Sequence, residues 1–236
     1  MATRVNQPAS IRSRTMDLTP LYLSAKLSLV STAILLVLAM PLAALLVFVP
    51  FPGRFLVDSL VNLPLVLPPT VLGFYLLIIM GPDGPVGRLW AGLSGGSIVF
   101  TFGGIVLAAM VHSLPFAVQP LKTAYEKIDP RLLEMSDVLG ASPISTFFRV
   151  ILPNTTSGIA ASAILAFAHT MGEFGVILMI GGSIPGRTKV ASIAIYEYVE
   201  AMRYREAAIL SLILVVISYT ILLMVNMLGK RGSRHA

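Results

Sequence analysis

Residues 27–50 carry no charged side chain, and that run decides the solvent this chain is built for. Crossing the hydrocarbon core of a bilayer takes about 20 apolar residues in a helix, so the run is a membrane span. It is too long for the core of a cleaved leader and reads as an uncleaved first crossing. Four more apolar segments follow, at about 55–80, 98–118, 157–180 and 207–228. Inside a membrane every backbone N–H and C=O needs a partner within the protein, which a helix supplies from its own turns. The expected fold is an all-α integral membrane protein with about five transmembrane helices. A polar tail spans 1–22, a single transmembrane domain 23–229 and a basic tail 230–236.

Composition agrees. Hydrophobic residues make up 56% of the chain and charged residues 12%, against about 25% charged in a soluble protein. The net charge of +6 suits lipid headgroups or anionic solutes, and no basic stripe interleaved with aromatics points to nucleic acid. With no cysteine there is no disulfide, thiolate nucleophile or cysteine-ligated metal.

Two spans contain their own interruptions. Pro41 should only kink the first. The second holds Asp58, Asn62, Pro64, Pro68 and Pro69, and three prolines in six residues cannot sit in a straight helix. It is either a kinked scaffold helix or a broken helix lining a pathway. The third carries Gly103, Gly104, His112 and Pro115, the glycines allowing close helix approach. In the fourth, His169 and Glu173 stand four residues apart, so on a continuous helix they share a face and neutralise one another. A metal site built from these two and His112 is conceivable, since imidazole and carboxylate suit zinc or iron. It is set aside, because no His-Glu-x-x-His pair or comparable spacing is present and an intramembrane metalloenzyme would need one.

The longest polar interruption of the second half is the loop over 119–156. Leu132, Met135 and Leu139 fall at helical spacing on one face, with Arg131, Glu134 and Asp137 spread over the rest. Gly140 tolerates the left-handed conformation that stops a helix, and Ser142-Pro143 starts another. Two short helices at a sharp corner result. Such a block either lies on the headgroups as an amphipathic helix or takes a push from a partner. A short helix is also expected near 88–93, inside a turn-rich loop over 81–97, and a second polar loop covers 181–205.

The order of residues in the corner resembles the coupling signature of bacterial ABC importer permeases: Glu134, two residues that are usually small, three variable ones, Gly140, nine variable ones, then Val150, any residue, Leu152 and Pro153. Met135 and Ser136 stand where that pattern has two alanines. The likeness extends over nearly the whole chain after about residue 20. Leu63-Pro64-Leu65-Val66-Leu67-Pro68-Pro69-Thr70-Val71-Leu72-Gly73, Gly172-Glu173-Phe174-Gly175, Ile184-Pro185-Gly186-Arg187-Thr188 and Ser192-Ile193-Ala194-Ile195-Tyr196 look like the molybdate permeases within the molybdate/sulfate-type importer permease family. Sulfate and thiosulfate permeases share the Gly-Glu-Phe/Tyr-Gly element.

The resemblance implies a type I ABC importer permease arrangement with a cytoplasmic coupling helix, in the bacterial inner membrane. It also implies a homodimer, two cytoplasmic ATPase subunits and an external binding protein that delivers molybdate or tungstate. Arg131, Leu132, Glu134, Met135, Ser136, Leu139, Gly140, Leu152 and Pro153 would couple to the ATPase, and Pro64, Pro68, Pro69, Gly172, Glu173 and Gly175 are pathway or gate candidates. The coupling loop and the carboxy terminus would face the cytoplasm. Charge counting does not assign the sides, since eight Lys and Arg residues fall on each.

The residues themselves agree on one point. No Gly-x-x-x-x-Gly-Lys-Ser/Thr loop is present, so the chain binds no ATP of its own through such a loop and takes its energy from a partner. A secondary transporter would need midplane ion sites and usually an internal repeat, and no repeat is visible.

Overall fold

The computed structural model describes residues 17–232. Among them there are helices and no strands. Most of the polar amino-terminal tail, with Arg4, Arg12 and Arg14, and the last residues of the basic tail, with Arg234, lie outside the described residues.

Helix α1, Thr19–Phe48, starts eight residues before the charge-free run, because Thr19-Pro20 supplies a helix start and Lys26 is accommodated with its Nζ 4.7 Å from the Phe102 ring centroid. Pro41 lies inside it. Its buried side is a seam of small residues, Ser24, Ser28, Ser31, Ala39 and Ala43, with Leu27, Leu35 and Leu46. Small residues at such spacing let helices approach closely where lipid provides no hydrophobic driving force.

The second span is two helices. Helix α2, Arg54–Val66, and α3, Pro69–Met80, meet at 117°. Pro68 and Pro69 remove two N–H donors and push the residues before them out of the helical region, so Leu67 and Pro68 are extended, at ψ 135° each. Of the two readings of this span, the broken helix is the one observed. Helix α4, Pro85–Ser94, covers the short helix expected near 88–93 and extends it at both ends.

Helix α5, Phe102–Glu126, is capped by Thr101, whose Oγ1 accepts from the Gly104 N–H. It runs parallel to α1: Lys26 meets Phe102 at one end and Phe48 stacks on Tyr125 at the other. It also runs eight residues beyond the expected third span, so the polar loop begins at Lys127 rather than at 119.

That loop folds as α6, Pro130–Val138, and α7, Pro143–Thr146, which runs through a π turn at Phe147–Ile151 into α8, Leu152–Asn154. Helix α9, Thr156–Gly172, returns antiparallel to α5. Its Ser162 Oγ donates to the Ala117 carbonyl, and a Cβ on Gly158 would sit 2.2 Å from Ala124 Cβ. At 17 residues it is about 26 Å long, short of the ~30 Å core.

The fourth span is therefore not the single helix expected over 157–180. It breaks at Glu173-Phe174 and resumes as α10, Gly175–Gly181. Helix α11, Ala191–Glu200, lies in the second polar loop, and α12, Tyr204–Gly232, closes the chain. Among the described residues three helices, α1, α5 and the stretch Tyr204–Ile221 of α12, are long and apolar enough to cross a membrane, or up to five spans if each bent pair is one.

Candidate functional site

The breaks in the second and fourth spans meet. A Cβ on Gly175 would lie 2.9 Å from Pro69 Cβ, so only glycine lets the two segments pass this closely. Pro69, Glu173 and Gly175, which the sequence names separately as gate candidates, are thereby brought to one place. Gly172 is exposed beside them, with open space where a side chain would point. Pro68 is exposed at the α2–α3 break, while Pro64 is buried one turn earlier in α2.

Behind this junction lies a polar hub. Glu173 has left the helix, with φ −67° and ψ 133°, and so cannot share a face with His169. The pair expected from their spacing does not form. Instead Glu173 Oε2 stands 2.9 Å from Nδ1 of His112 on α5, both side chains being buried. Glu173 Oε1 accepts from the Val176 N–H at 3.0 Å, capping the first turn of α10. Ser192 Oγ on α11 donates to the Glu173 carbonyl. One residue thus ties α5, α10 and α11 to the break.

His169 has a different set of partners. Its Nδ1 lies 3.0 Å from Ser113 Oγ, which also bonds Thr170 Oγ1, and its ring stacks on Phe116 with centroids 3.9 Å apart. The two histidine rings are 4.7 Å apart, edge to face. Ligand atoms of His112, His169 and Glu173 all lie within 4.8 Å of one another, so these three are the residues here able to hold a metal. The sequence names these three together as conceivable ligands, and the packing of α5 against α9 is what brings them within reach of one another.

Two further polar features escaped the sequence reading. Asp58 on α2 pairs with Lys122 on α5, and Asn62 Oδ1 accepts from Gln119 Nε2 at 2.7 Å. The spacing of Asp58 and Asn62 by four, facing Gln119 and Lys122 spaced by three, was the available signal. On α1, Ser24 Oγ accepts from the Ala191 N–H and so caps α11 from another helix.

The corner is built as its residues dictate. Asp129 Oδ1 accepts from the Arg131 N–H to start α6, and Ser142 Oγ accepts from the Ser145 N–H to start α7. Gly140 between them sits at φ +71°, with its N–H on the Asp137 carbonyl. Ser136 Oγ and Thr146 Oγ1, 2.7 Å apart and buried, lock the two helices across the corner. Of the nine coupling candidates Ser136 therefore faces inward. Leu132, Met135 and Leu139 are exposed, joined by Val138 at 88%, which the sequence reading did not include. Arg131 and Glu134 are exposed on α6, Leu152 is half-buried and Pro153 exposed on α8. An apolar groove of about 900 Å³ separates the block from α1, with Leu133 and Asp137 on the block side.

In the loop over 181–205, Lys189 and Ser183 both donate to Glu197. Partial burial raises the Glu197 carboxyl, but these two donors outweigh it and hold the group below its ordinary range. Arg203 pairs with Glu206, while Arg187 and Arg205 are exposed.

The family model for binding-protein-dependent transport system inner membrane components matches residues 36–232. The chain is 47% identical over 206 residues to the molybdenum transport system permease protein of Azotobacter vinelandii, covering 87% of this chain and 91% of that one. A sulfate transport system permease protein of Synechocystis is 33% identical over 186 residues, covering 79% and 65%. In fold, the chain is similar to a bacterial ABC transporter involved in the import of the acidic polysaccharide alginate, with TM-score 0.74 and 20% identity, over 96% of this chain and 85% of that one. The all-α type I ABC importer permease arrangement is thus shared, and the chain is a transport subunit rather than an enzyme. It belongs to the family of binding-protein-dependent transport system inner membrane components.

Proposed function

We propose that this chain is the membrane-spanning subunit of an ATP-driven importer that carries molybdate, and with it tungstate, into the cytoplasm. The observation that carries this reading is the 47% identity, over nearly the whole length of both chains, to a molybdenum transport permease. Sulfate is the weaker reading, at 33% to a sulfate permease.

The active form is a homodimer, since one chain holds a single coupling block and half a pathway, and two-fold symmetry supplies the other half. Two cytoplasmic ATPase subunits take α6 in a groove through Leu132, Met135, Val138 and Leu139, with Arg131 and Glu134 at its edges. The block sits in the cytoplasm of a bacterial cell and the amino terminus outside. ATP-driven closure pushes the paired blocks, and the corner at Gly140, with Leu152 and Pro153 behind it, passes the push to α9 and its break. The junction of Pro69, Gly172, Glu173 and Gly175 opens outward to a loaded binding protein, and hydrolysis resets it inward. Glu173 is part of the junction's frame and not a ligand, because a carboxylate repels an oxyanion. In the loop over 181–205, Arg187 and Arg205 are exposed and available to an acidic face of the binding protein, whereas Lys189 and Arg203 are paired within the chain.

Uptake of labelled molybdate, tungstate and sulfate at submicromolar concentration, by cells with and without the gene, tests the reading. Loss of molybdate and tungstate uptake is expected. Loss of sulfate uptake alone moves the chain to the sulfate permeases, and unchanged uptake of all three overturns the oxyanion reading.

A further inference from the structure

We propose that His112, His169 and Glu173 form a site for one divalent transition-metal ion of the zinc class. The three donors come from α5, from the last turn of α9 and from the break that follows it, and they lie within 4.8 Å of one another. Around a tetrahedral zinc ion, with bonds of about 2.0 to 2.2 Å, donors stand ~3.4 Å apart, so small side-chain rotations close the set.

The donors are also held as ligands are held. Ser113 occupies His169 Nδ1 and leaves Nε2 for an ion, and the Val176 N–H occupies Glu173 Oε1 and leaves Oε2 turned toward His112 Nδ1. Such outer partners fix ring and carboxylate orientation before the ion arrives. His112 Nδ1 is buried without a hydrogen-bond partner, because its 2.9 Å approach to Glu173 Oε2 is out of line for the ring N–H. A ring nitrogen and a carboxylate oxygen facing each other in a buried place are favourably arranged around a cation. No lysine or arginine pairs with the cluster among the described residues, so a positive ion meets no opposing charge there.

Two imidazoles and one carboxylate select zinc, cobalt or nickel over magnesium or calcium, which prefer all-oxygen sites. The cluster is open on the side of Gly172, which is exposed with free space before it, next to the half-buried His169, so an ion has a way in there.

A bound ion ties α5 to the end of α9 and to the break, which freezes the junction. That consequence, inhibition of uptake by zinc, rests on the transport reading above, whereas the binding itself does not.

The test uses the full-length permease assembled with its ATPase partner in lipid nanodiscs, titrated with Zn²⁺ alone by calorimetry and with Co²⁺ by visible absorption. One ion per chain is expected, with X-ray absorption showing imidazole ligands. His112→Gln and His169→Gln should each weaken binding by about tenfold or more while the assemblies stay monodisperse. Absence of stoichiometric binding overturns the site, and so does binding that both variants leave unchanged. In cells, zinc should lower oxyanion uptake by the wild type relative to its own zinc-free rate, and do so less for His169→Gln. Zinc bound with uptake unaffected keeps the site and overturns its hold on transport. No uptake in the zinc-free wild type overturns the transport reading and leaves the binding result standing.

Discussion

Two polar clusters of the molecule, the corner of α6 and α7 and the hub around Glu173, are solved in opposite ways. At the hub the polar groups turn on one another: Glu173 on His112 and the Val176 N–H, Ser113 on His169 and Thr170, Ser192 on the Glu173 carbonyl. At the corner only Ser136 and Thr146 close inward, while Met135, Val138 and Leu139 stand 61%, 88% and 82% exposed. In a low-dielectric interior an unpaired polar group is costly, so the hub gathers its polar groups on one another within the chain, although His112 Nδ1 keeps no aligned hydrogen bond. An exposed apolar row on a rigid corner is the reverse case, a surface that the chain leaves uncovered and that the ATPase partner covers in the proposed assembly. Polarity therefore marks frame inside this bundle, and apolar exposure marks contact outside it.

Glu173→Ala gives the largest expected effect. It removes the carboxylate beside His112 and the acceptor of the Val176 N–H in one step, and leaving a buried donor unsatisfied costs about 1 to 3 kcal/mol. The level of folded permease in the membrane should fall, and the thermal midpoint of the purified assembly with it. An unchanged midpoint would break the comparison, because the hub would then not be frame.

Next in size is Gly140→Val. At φ +71° a β-branched residue is strained by ~1 to 2 kcal/mol, and there is open space around the position, so backbone geometry alone is tested. The protein should insert and assemble, ATP hydrolysis should continue, and uptake should fall. Normal uptake would sink the corner as the transmitting element.

The corner was legible in the sequence because it is local. Gly140, Ser142 and Pro143 carry their conformations in their own covalent structure, and the observed φ and cap bond are the ones those residues favour. Its start was less legible: α6 begins at Pro130 behind the cap Asp129, a Ser/Asp-then-proline signal of the same kind as Ser142-Pro143. The break at Pro68-Pro69 was legible for the same local reason. The hub was not. On a continuous helix, spacing by four pairs His169 with Glu173, and nothing in the spacing says that Gly172 and Gly175 let the chain leave the helix between them. The partner that wins, His112, lies on α5, and only the packing of α5 on α9, as close as Gly158 against Ala124, decides that register. The fold class was readable from apolar runs, whereas the helix ends were set by tertiary contacts such as Lys26 on Phe102.

The smallest effect sharpens the comparison most, because it falls at the end of one short helix. Ser136 stands in the last turn of α6 and Leu139 caps its end three positions on, one buried and one 82% exposed. Ser136→Ala leaves Thr146 Oγ1 without its partner and should cost about 1 kcal/mol, seen as faster hydrogen exchange across α6 and α7. Leu139→Ser removes only exposed apolar surface, so exchange in the isolated permease should stay as in the wild type while affinity for the ATPase partner drops. If the two outcomes were exchanged, with Leu139→Ser loosening the corner and Ser136→Ala weakening assembly, the division between frame and contact would be drawn in the wrong place. If Leu139→Ser changed neither, the exposed row would have no partner there, and the push would have to enter through Arg131 and Glu134 instead.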